Sequence, residues 1–241
     1  MPWKWYQSEV IDITDVGPKT KQFTVTVEHD EVFDFLPGQF ITLDLPIHDK
    51  RTKRWRSYSI ANAPDGTNLL QLCIVYLNGG LASEYLFSDV KIGSKIKFKG
   101  PSGGFTLPRE PRPEMVMVCT GTGIAPFRSM LQYLKKEDSF ASPIHLIFGT
   151  RYEEGILYRA EMESLANDFD SFTFSVVLSR DQNWPGLKGY VHQVYEQHYP
   201  DSSSERLFYL CGWSMMVDAA VAKLIVEMGY QRSQIRYELY G

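Results

Sequence analysis

Cysteine is scarce. The 241 residues hold three, Cys73, Cys119 and Cys211. They are odd in number and far apart, which excludes a disulfide framework and a CxxC metal site. No apolar run approaches the ~18 residues of a membrane span. The first ten residues, MPWKWYQSEV, lack the apolar stretch of a secretory signal, so the expectation is a reduced, cytoplasmic protein without a membrane span. An excess of one charge is lacking too. The 25 basic and 29 acidic residues give a net charge of −4, which argues against a surface given over to nucleic acid while allowing a local basic patch. There is no internal repeat and no low-complexity tract. What is present is 44% hydrophobic residues with 14% aromatics, enough to fill real cores and to exclude general disorder. At ~150 residues per domain the length predicts between one and two domains.

Composition changes at 108–114, PREPRPE, where three prolines remove backbone donors and favour extended predecessors. This stretch reads as a linker between a domain at 1–108 and a domain at 109–241. The first half is rich in strand patterns, at 5–13, 21–28, 39–45, 56–61, 69–76 and 95–99, separated by turn signals such as Asp65-Gly66 and Asn78-Gly79-Gly80. Only 82–88 reads as a helix there. Six short strands and one helix predict a small antiparallel β-barrel. The second half alternates. Apolar strand runs at 115–119, 144–148, 173–178, 207–211 and 234–239 enclose helical patterns at 125–136, 158–167, 191–198 and 215–228. In the last of these, Val217, Val221, Leu224, Ile225 and Met228 recur at helical spacing. Alternation of this kind predicts an α/β domain with a doubly wound parallel sheet.

Four short motifs carry chemistry. Arg56-Ser57-Tyr58-Ser59 lies on a predicted strand, and alternation puts Arg56 and Tyr58 on one face, Ser57 and Ser59 on the other. Arg56 offers a fork of donors suited to phosphate; alone, the tetrapeptide fits an exposed strand equally well. Gly79-Gly80-Leu81-Ala82-Ser83 follows a strand and opens a helix. Glycine permits close backbone approach and helix-start N–H groups attract phosphate, although Gly80 also suits a plain tight turn. Gly100-Pro101-Ser102-Gly103-Gly104 is a further glycine-rich turn with little meaning by itself. Thr120-Gly121-Thr122-Gly123-Ile124-Ala125-Pro126 joins an apolar strand to a helix start, with proline in the first turn, where its missing N–H is harmless. Strand, glycine turn and helix together form a dinucleotide-phosphate site at the carboxyl end of a strand.

The order Arg56-x-Tyr58-Ser59, Gly79-Gly80-x-x-Ser83, Gly121-Thr122-Gly123-x-Ala125-Pro126 and a later Cys211-Gly212 resembles the ferredoxin–NADP reductase superfamily over nearly the whole chain, from Trp5 to Tyr240. The resemblance implies a flavin-binding barrel joined to a nicotinamide-nucleotide domain, and FAD rather than FMN because of the pyrophosphate motifs. It implies roles by position. Arg56 would hold the FAD pyrophosphate, Tyr58 would stack on the isoalloxazine and Ser59 would sit near flavin N5. Cys73, Ile74 and Val75 would line the flavin with backbone groups, while Gly80, Leu81, Ala82 and Ser83 cradle the pyrophosphate. Thr122 would face both flavin and nicotinamide, and Cys211 and Gly212 would border the nicotinamide pocket. The ending Glu238-Leu239-Tyr240 resembles the Glu-x-Tyr terminus of plant-type members, in which the tyrosine covers the flavin face where nicotinamide must land. Ser59, Cys211, Glu238 and Tyr240 would then form the active-site set. The added residue Gly241 departs from that pattern.

The pattern Ser179-Arg180, Lys188 and Tyr190 resembles NADP-selective members. Ser179, Arg180 and Lys188 would hold the 2′-phosphate and Tyr190 would stack on adenine, with Arg151 a further cation. Asp181 is the contrary sign, because a carboxylate suits a 2′-hydroxyl. Thr120, Gly121 and Gly123 complete the expected nucleotide contacts. No C-x4-C-x2-C iron–sulfur signature and no length for a globin are present, so electrons would leave to a separate acceptor, a ferredoxin or flavodoxin. Lys50, Arg51, Lys53, Arg54 and Arg56 put five cations into seven residues, and Lys91, Lys95, Lys97 and Lys99 add a second run. Both are places for an acidic protein to steer toward, and the first reads equally as a solvated loop. The alternative functions are the NAD(P)H-dependent reductase component of an oxygenase, a reductase of free flavin or small acceptors, and a non-catalytic electron-transfer subunit.

Overall fold

A computed structural model describes residues 4–109 and 112–240. Contacts divide the chain into two compact units. One takes the chain to Leu107 together with Ala125–Tyr133; the other takes Pro108–Ile124 and the chain from Leu134 onward.

The first unit holds β1 (Trp5–Gly17), β2 (Thr20–Val27), β3 (Phe40–Asp44), α1 (Arg51–Arg54), β4 (Trp55–Ser59), β5 (Leu69–Val75), α2 (Leu81–Ser88) and β6 (Lys95–Ser102). Its strands form one sheet in the order β4-β3-β6-β1-β2-β5, and every pairing is antiparallel. A bridge between Ile60 and Leu72 joins the two edges, closing the sheet into the expected barrel. Alternation decides what fills it. Phe23, Val25 and Val27 from β2, Ile41 and Leu43 from β3, and Leu70, Leu72 and Ile74 from β5 bury in one cluster with Phe98. Each such side chain contributes ~1.5–3 kcal/mol of burial. Ala82 and Leu86 fasten α2 to the same cluster. The Ala125–Tyr133 stretch is held by polar contacts. Arg128 Nη1 donates to the Ala61 carbonyl at 3.0 Å and to Gln71 Oε1 at 2.7 Å, and Ser129 Oγ donates to the Asn62 carbonyl at 2.7 Å.

Two details differ from the sequence reading. The stretch 51–54 is a helical turn, α1, rather than open loop. Leu45 N–H donates to the Arg54 carbonyl at 3.2 Å and Arg54 pairs with Asp44 at 2.5 Å, so the β3–β4 connection is pinched shut and the basic run must coil. Strand β1 also continues past Ile13 to Gly17, still paired with β2 through register shifts at Val10/Asp12 and Asp15/Gly17. Asp12, Asp15 and Gly17 are poor strand formers, and only the partner strand keeps them extended.

The second unit holds β7 (Glu114–Thr120), β8 (Ile144–Thr150), α4 (Arg159–Asp168), β9 (Phe172–Leu178), β10 (Leu187–Lys188), α5 (Val191–His198), β11 (Arg206–Trp213), α6 (Ser214–Ala222) and β12 (Ile235–Tyr240); α3 (Ile124–Lys136) follows β7. The sheet order is β10-β9-β8-β7-β11-β12, with every pairing parallel. Val191, Val194 and Tyr195 from α5 and Val217, Ala220 and Leu224 from α6 cover Val116, Val118, Ile147, Phe208 and Leu210. Right-handed crossovers place α4 on the opposite face. The architecture is the doubly wound sheet the alternation predicted. The two-residue β10 and the π-helical turn Lys223–Glu227 that continues α6 were not expected. Of the stretch read as a linker, residues 110 and 111 lie outside the described residues, as does Gly241, while Glu114 already begins β7.

Candidate functional site

In the first unit the candidate residues sit on β4, on β5 and at the start of α2. In register, Arg56 faces Leu43, Ser57 faces Thr42 and Tyr58 faces Ile41. The Thr42 and Ser57 hydroxyls lie 3.0 Å apart, so the alternation read from the sequence holds. Arg56 Nη1 donates to the Trp55 carbonyl at 2.8 Å, which fixes the guanidinium at the strand edge and leaves its other donors to point elsewhere. Burial pushes the Tyr58 phenol up to about 12, with the Arg56 charge pulling the other way. Tyr58 therefore presents a neutral ring. Ser59 and Cys73 are buried, Val75 is half-buried, and the Ile74 side chain belongs to the barrel core.

The turn before α2 is built by one hydroxyl. Ser83 Oγ donates to the carbonyls of Leu77 and Gly80, both at 2.9 Å, and accepts from Leu77 N–H at 3.1 Å. Gly80 fits because a Cβ there would meet Ser83 Oγ at 2.9 Å and the Leu77 carbonyl at 3.0 Å. No side chain caps α2, so the N–H groups of its first turn are left for an anion. Leu81 is exposed and Ala82 buried. The residues thus fit a dinucleotide pyrophosphate: an uncapped helix start, a glycine turn with no room for a side chain, and Arg56. Ser83 shapes that cradle rather than offering a free hydroxyl to it.

In the second unit the strand order reverses between β7, which leads to β8, and β11 on its other side. Ligands of open α/β sheets bind at such a switch point, outside the strand carboxyl ends. Thr120-Gly121-Thr122-Gly123 leaves β7 there through a 3-10 turn, and Cys211-Gly212 lies near the end of β11. A Cβ at Gly123 would collide with the Cys211 carbonyl oxygen and meet Gly212 N at 2.9 Å, so the two strand ends close up only because residue 123 has no side chain. Thr120 Oγ1 is buried with no hydrogen-bond partner among the described residues, an unmet polar group of the sort a bound ligand satisfies. Across the strands Cys119, Cys211 and Glu238 stand side by side in register. Burial, together with Cys211 beside it, holds the Cys119 thiol well above its ordinary value, so it stays protonated. Tyr240 ends β12 opposite Trp213; its side chain lies outside what is described.

The expected nucleotide-selecting residues gather after β8 and β9. Ser179 N–H donates to the Thr150 carbonyl and Arg180 N–H to the Arg151 carbonyl, both at 3.0 Å, which extends the β8–β9 pairing by two residues and sets Arg151 beside Ser179 and Arg180. Both arginines are exposed, and neither has an ion pair among the described residues. Asp181 follows on the same loop. Its Oδ1 accepts from Asn183 N–H at 3.0 Å in an Asx turn. Lys188, on β10, donates to the Gln182 carbonyl at 2.7 Å. Tyr190 is 64% exposed and stacks on His192 with ring centres 5.7 Å apart and planes 11° apart, which leaves its other face open. The residues fit a nicotinamide dinucleotide: a switch point with an unmet hydroxyl, a cation pair and a one-sided aromatic platform.

The two basic runs fare differently. Arg54 is taken by Asp44, whereas Lys50, Arg51 and Lys53 are exposed without an ion pair among the described residues. The second run is partly engaged, with Lys91 and Lys97 exposed. Lys95 pairs with Glu28 at 2.7 Å, Lys97 lies over Trp5, and the buried Lys99 lies 3.9 Å from the Trp55 ring centre. The sequence reading passed over His192 and Trp184, whose only signal was an aromatic residue in or beside a polar loop.

Comparison with known proteins gives two domain matches. Residues 7–107 match the oxidoreductase FAD-binding domain and residues 117–222 the oxidoreductase NAD-binding domain. The chain is 32% identical over 246 residues to ferredoxin--NADP reductase B of Sorangium cellulosum, covering 98% of this chain and 97% of that protein. It is 31% identical over 193 residues to the anthranilate 1,2-dioxygenase electron transfer component of Acinetobacter baylyi, covering 80% of this chain and 54% of that longer protein. The crystal structure of a ferredoxin NADP+ reductase from Neisseria gonorrhoeae with bound FAD and NADP matches with a TM-score of 0.80 at 26% identity, over 98% of each chain.

Proposed function

The chain belongs to the ferredoxin–NADP reductase superfamily, and on that premise we propose that it is a ferredoxin/flavodoxin–NADP reductase, exchanging hydride with NADP(H) and single electrons with a small acidic redox protein. Bound FAD supplies the conversion between hydride and single electrons. The chain's own residues bind and orient. Arg56 and the first turn of α2 take the pyrophosphate of FAD, and the neutral Tyr58 ring offers a flat surface to the isoalloxazine. Ser59 would offer a hydroxyl near flavin N5. Thr120, Gly121, Thr122 and Gly123, with Cys211 and Gly212, receive the nicotinamide half of the second nucleotide. The protonated thiol of Cys119 beside Cys211 supports a packing role for this pair rather than a nucleophilic one. Glu238 would hold or move a proton there, and Tyr240 would take the part of the terminal tyrosine that covers the flavin in plant-type members.

The observation that carries the choice of NADP(H) is the cation pair Arg151 and Arg180 beside Ser179, left unpaired while Asp181 turns into its own loop. A 2′-phosphate wants charge-assisted donors. Replacing Arg180 with Ala tests this directly. A charge-assisted hydrogen bond is worth ~1.5–3 kcal/mol, so kcat/KM for NADPH should fall on the order of tenfold to a hundredfold while the NADH value holds. Comparable wild-type values for the two nucleotides, with no loss in Arg180→Ala, would sink the assignment.

The unpaired Lys50, Arg51 and Lys53 support an acidic partner. The second reading is the reductase component of an oxygenase, which the likeness to the anthranilate dioxygenase component supports. It shares the flavin and nucleotide motifs, while the Glu238-Leu239-Tyr240 ending and the Ser179-Arg180 pair favour the first reading.

A further inference from the structure

The loop that carries Ser179 and Arg180 is tied to the segment that carries Arg151 in two places. The inner tie is the backbone pair at Thr150 and Arg151 already described. The outer tie is a side-chain stack. The Arg159 guanidinium lies over the Trp184 indole, 5.5 Å from its centre. Arg159 is itself locked, with Nη1 donating to Glu153 Oε1 at 2.6 Å and Nε to Glu163 Oε1 at 2.7 Å. Exposed ion pairs of this kind add little stability. What they do here is hold the guanidinium over the ring.

Glu153 follows Arg151 by two residues, and Trp184 follows Arg180 by four. The stack therefore closes the far ends of both segments. The loop is shaped to the indole. A Cβ at Gly186 would come within 2.5 Å of Trp184 Nε1, so the chain doubles back over the ring only because residue 186 is glycine. The indole N–H is buried without a hydrogen-bond partner among the described residues, a cost the fold carries in order to keep the ring in place. Arg159, with both carboxylates engaged, is not a free phosphate ligand.

We propose that Trp184, clamped by Arg159, is a specificity-determining positioning residue that holds Ser179 and Arg180 against Arg151 so that they grip a 2′-phosphate. This rests on the NADP(H) reading of the cation pair and adds to it the group that sets its geometry. Loss of the clamp frees the loop, and the penalty falls only on the nucleotide that uses Arg180.

The test is steady-state kinetics of the FAD-loaded enzyme with NADPH and NADH, for wild type, Trp184→Ala, Trp184→Phe, Arg159→Ala and Arg180→Ala. Losing a cation–π stack at an exposed site is worth about twofold to fivefold. Trp184→Ala and Arg159→Ala should therefore raise KM for NADPH about twofold to fivefold, with kcat and both NADH constants held. Trp184→Phe, which keeps a ring under the guanidinium, should recover most of the loss. If Trp184→Ala does not fold, Arg159→Ala carries the test, since it keeps the indole. Equal losses for NADPH and NADH would mean a general structural role and overturn the proposal. An unchanged nucleotide preference in the clamp variants alongside a relaxed one in Arg180→Ala would overturn the clamp and leave the NADP(H) reading standing. A preference unchanged even in Arg180→Ala would remove that reading, and the clamp with it.

Discussion

Acid should weaken the second unit through one buried imidazole, His145 on β8. Its Nδ1 lies 2.8 Å from Tyr199 Oη and its Nε2 lies 2.8 Å from Ser175 Oγ. A neutral imidazole satisfies both hydroxyls, donating from one nitrogen and accepting at the other. Burial, with His198 adding to it, lowers His145 from 6.5 to about 4. The sign follows from linkage. Between those values the unfolded chain binds the proton and the folded chain does not, so stability falls as pH falls. The full effect is about 3 kcal/mol at ~1.36 kcal/mol per pKa unit, and roughly 2 kcal/mol of it is lost between about pH 7 and pH 4.5. The assay is urea denaturation at both pH values for wild type and for His145→Gln, which cannot titrate. Subtracting the two cancels the acid response of every other group in the chain. Wild type should lose roughly 2 kcal/mol more than the variant over that interval. Equal losses would refute the reasoning and show that His145 is not held neutral by its surroundings.

Two further outcomes bear on the sites. Gly123→Ala forces a Cβ onto the Cys211 carbonyl and Gly212 N. It should cost ~1–3 kcal/mol of stability and weaken NADP(H) binding in a nucleotide titration while flavin content holds; unchanged affinity would contradict the close approach of β7 and β11. Replacing Lys50, Arg51 and Lys53 together by Ala should remove most of the salt dependence of electron transfer to a ferredoxin, measured by stopped flow from low to moderate ionic strength. Retained salt dependence would take this patch out of the docking model.

Much of this was legible in the chain because the periodicities were clean. Residues 115–119 of β7, MVMVC, are apolar and buried throughout, and the strand runs alternate with helical patterns, which is what a parallel sheet covered on both faces requires. What escaped was set by distant partners. The coil of α1 depends on Asp44 and Leu45 closing the hairpin. The two residues of β10 are strand only because Val177 and Leu178 lie beside them. The lysines at 95, 97 and 99 read as a basic run in one dimension, and only the fold shows Lys95 paired with Glu28 and Lys97 and Lys99 set against Trp5 and Trp55 from other strands. The bond from Asn183 N–H to Asp181 Oδ1 is likewise invisible in the residue order. At the site, the glycine turns and the arginines were readable by residue type. The clamp on Trp184 was not, because Arg159 lies 25 residues earlier and belongs to a helix with its own charge pattern.

The most direct test of the account is reduction of cytochrome c by the purified flavoprotein, with NADPH or NADH, in the presence and absence of added ferredoxin. The account predicts a rate that requires ferredoxin and favours NADPH. A rate indifferent to ferredoxin would contradict it and point to an oxygenase component or a small diffusible acceptor as the true recipient of the electrons.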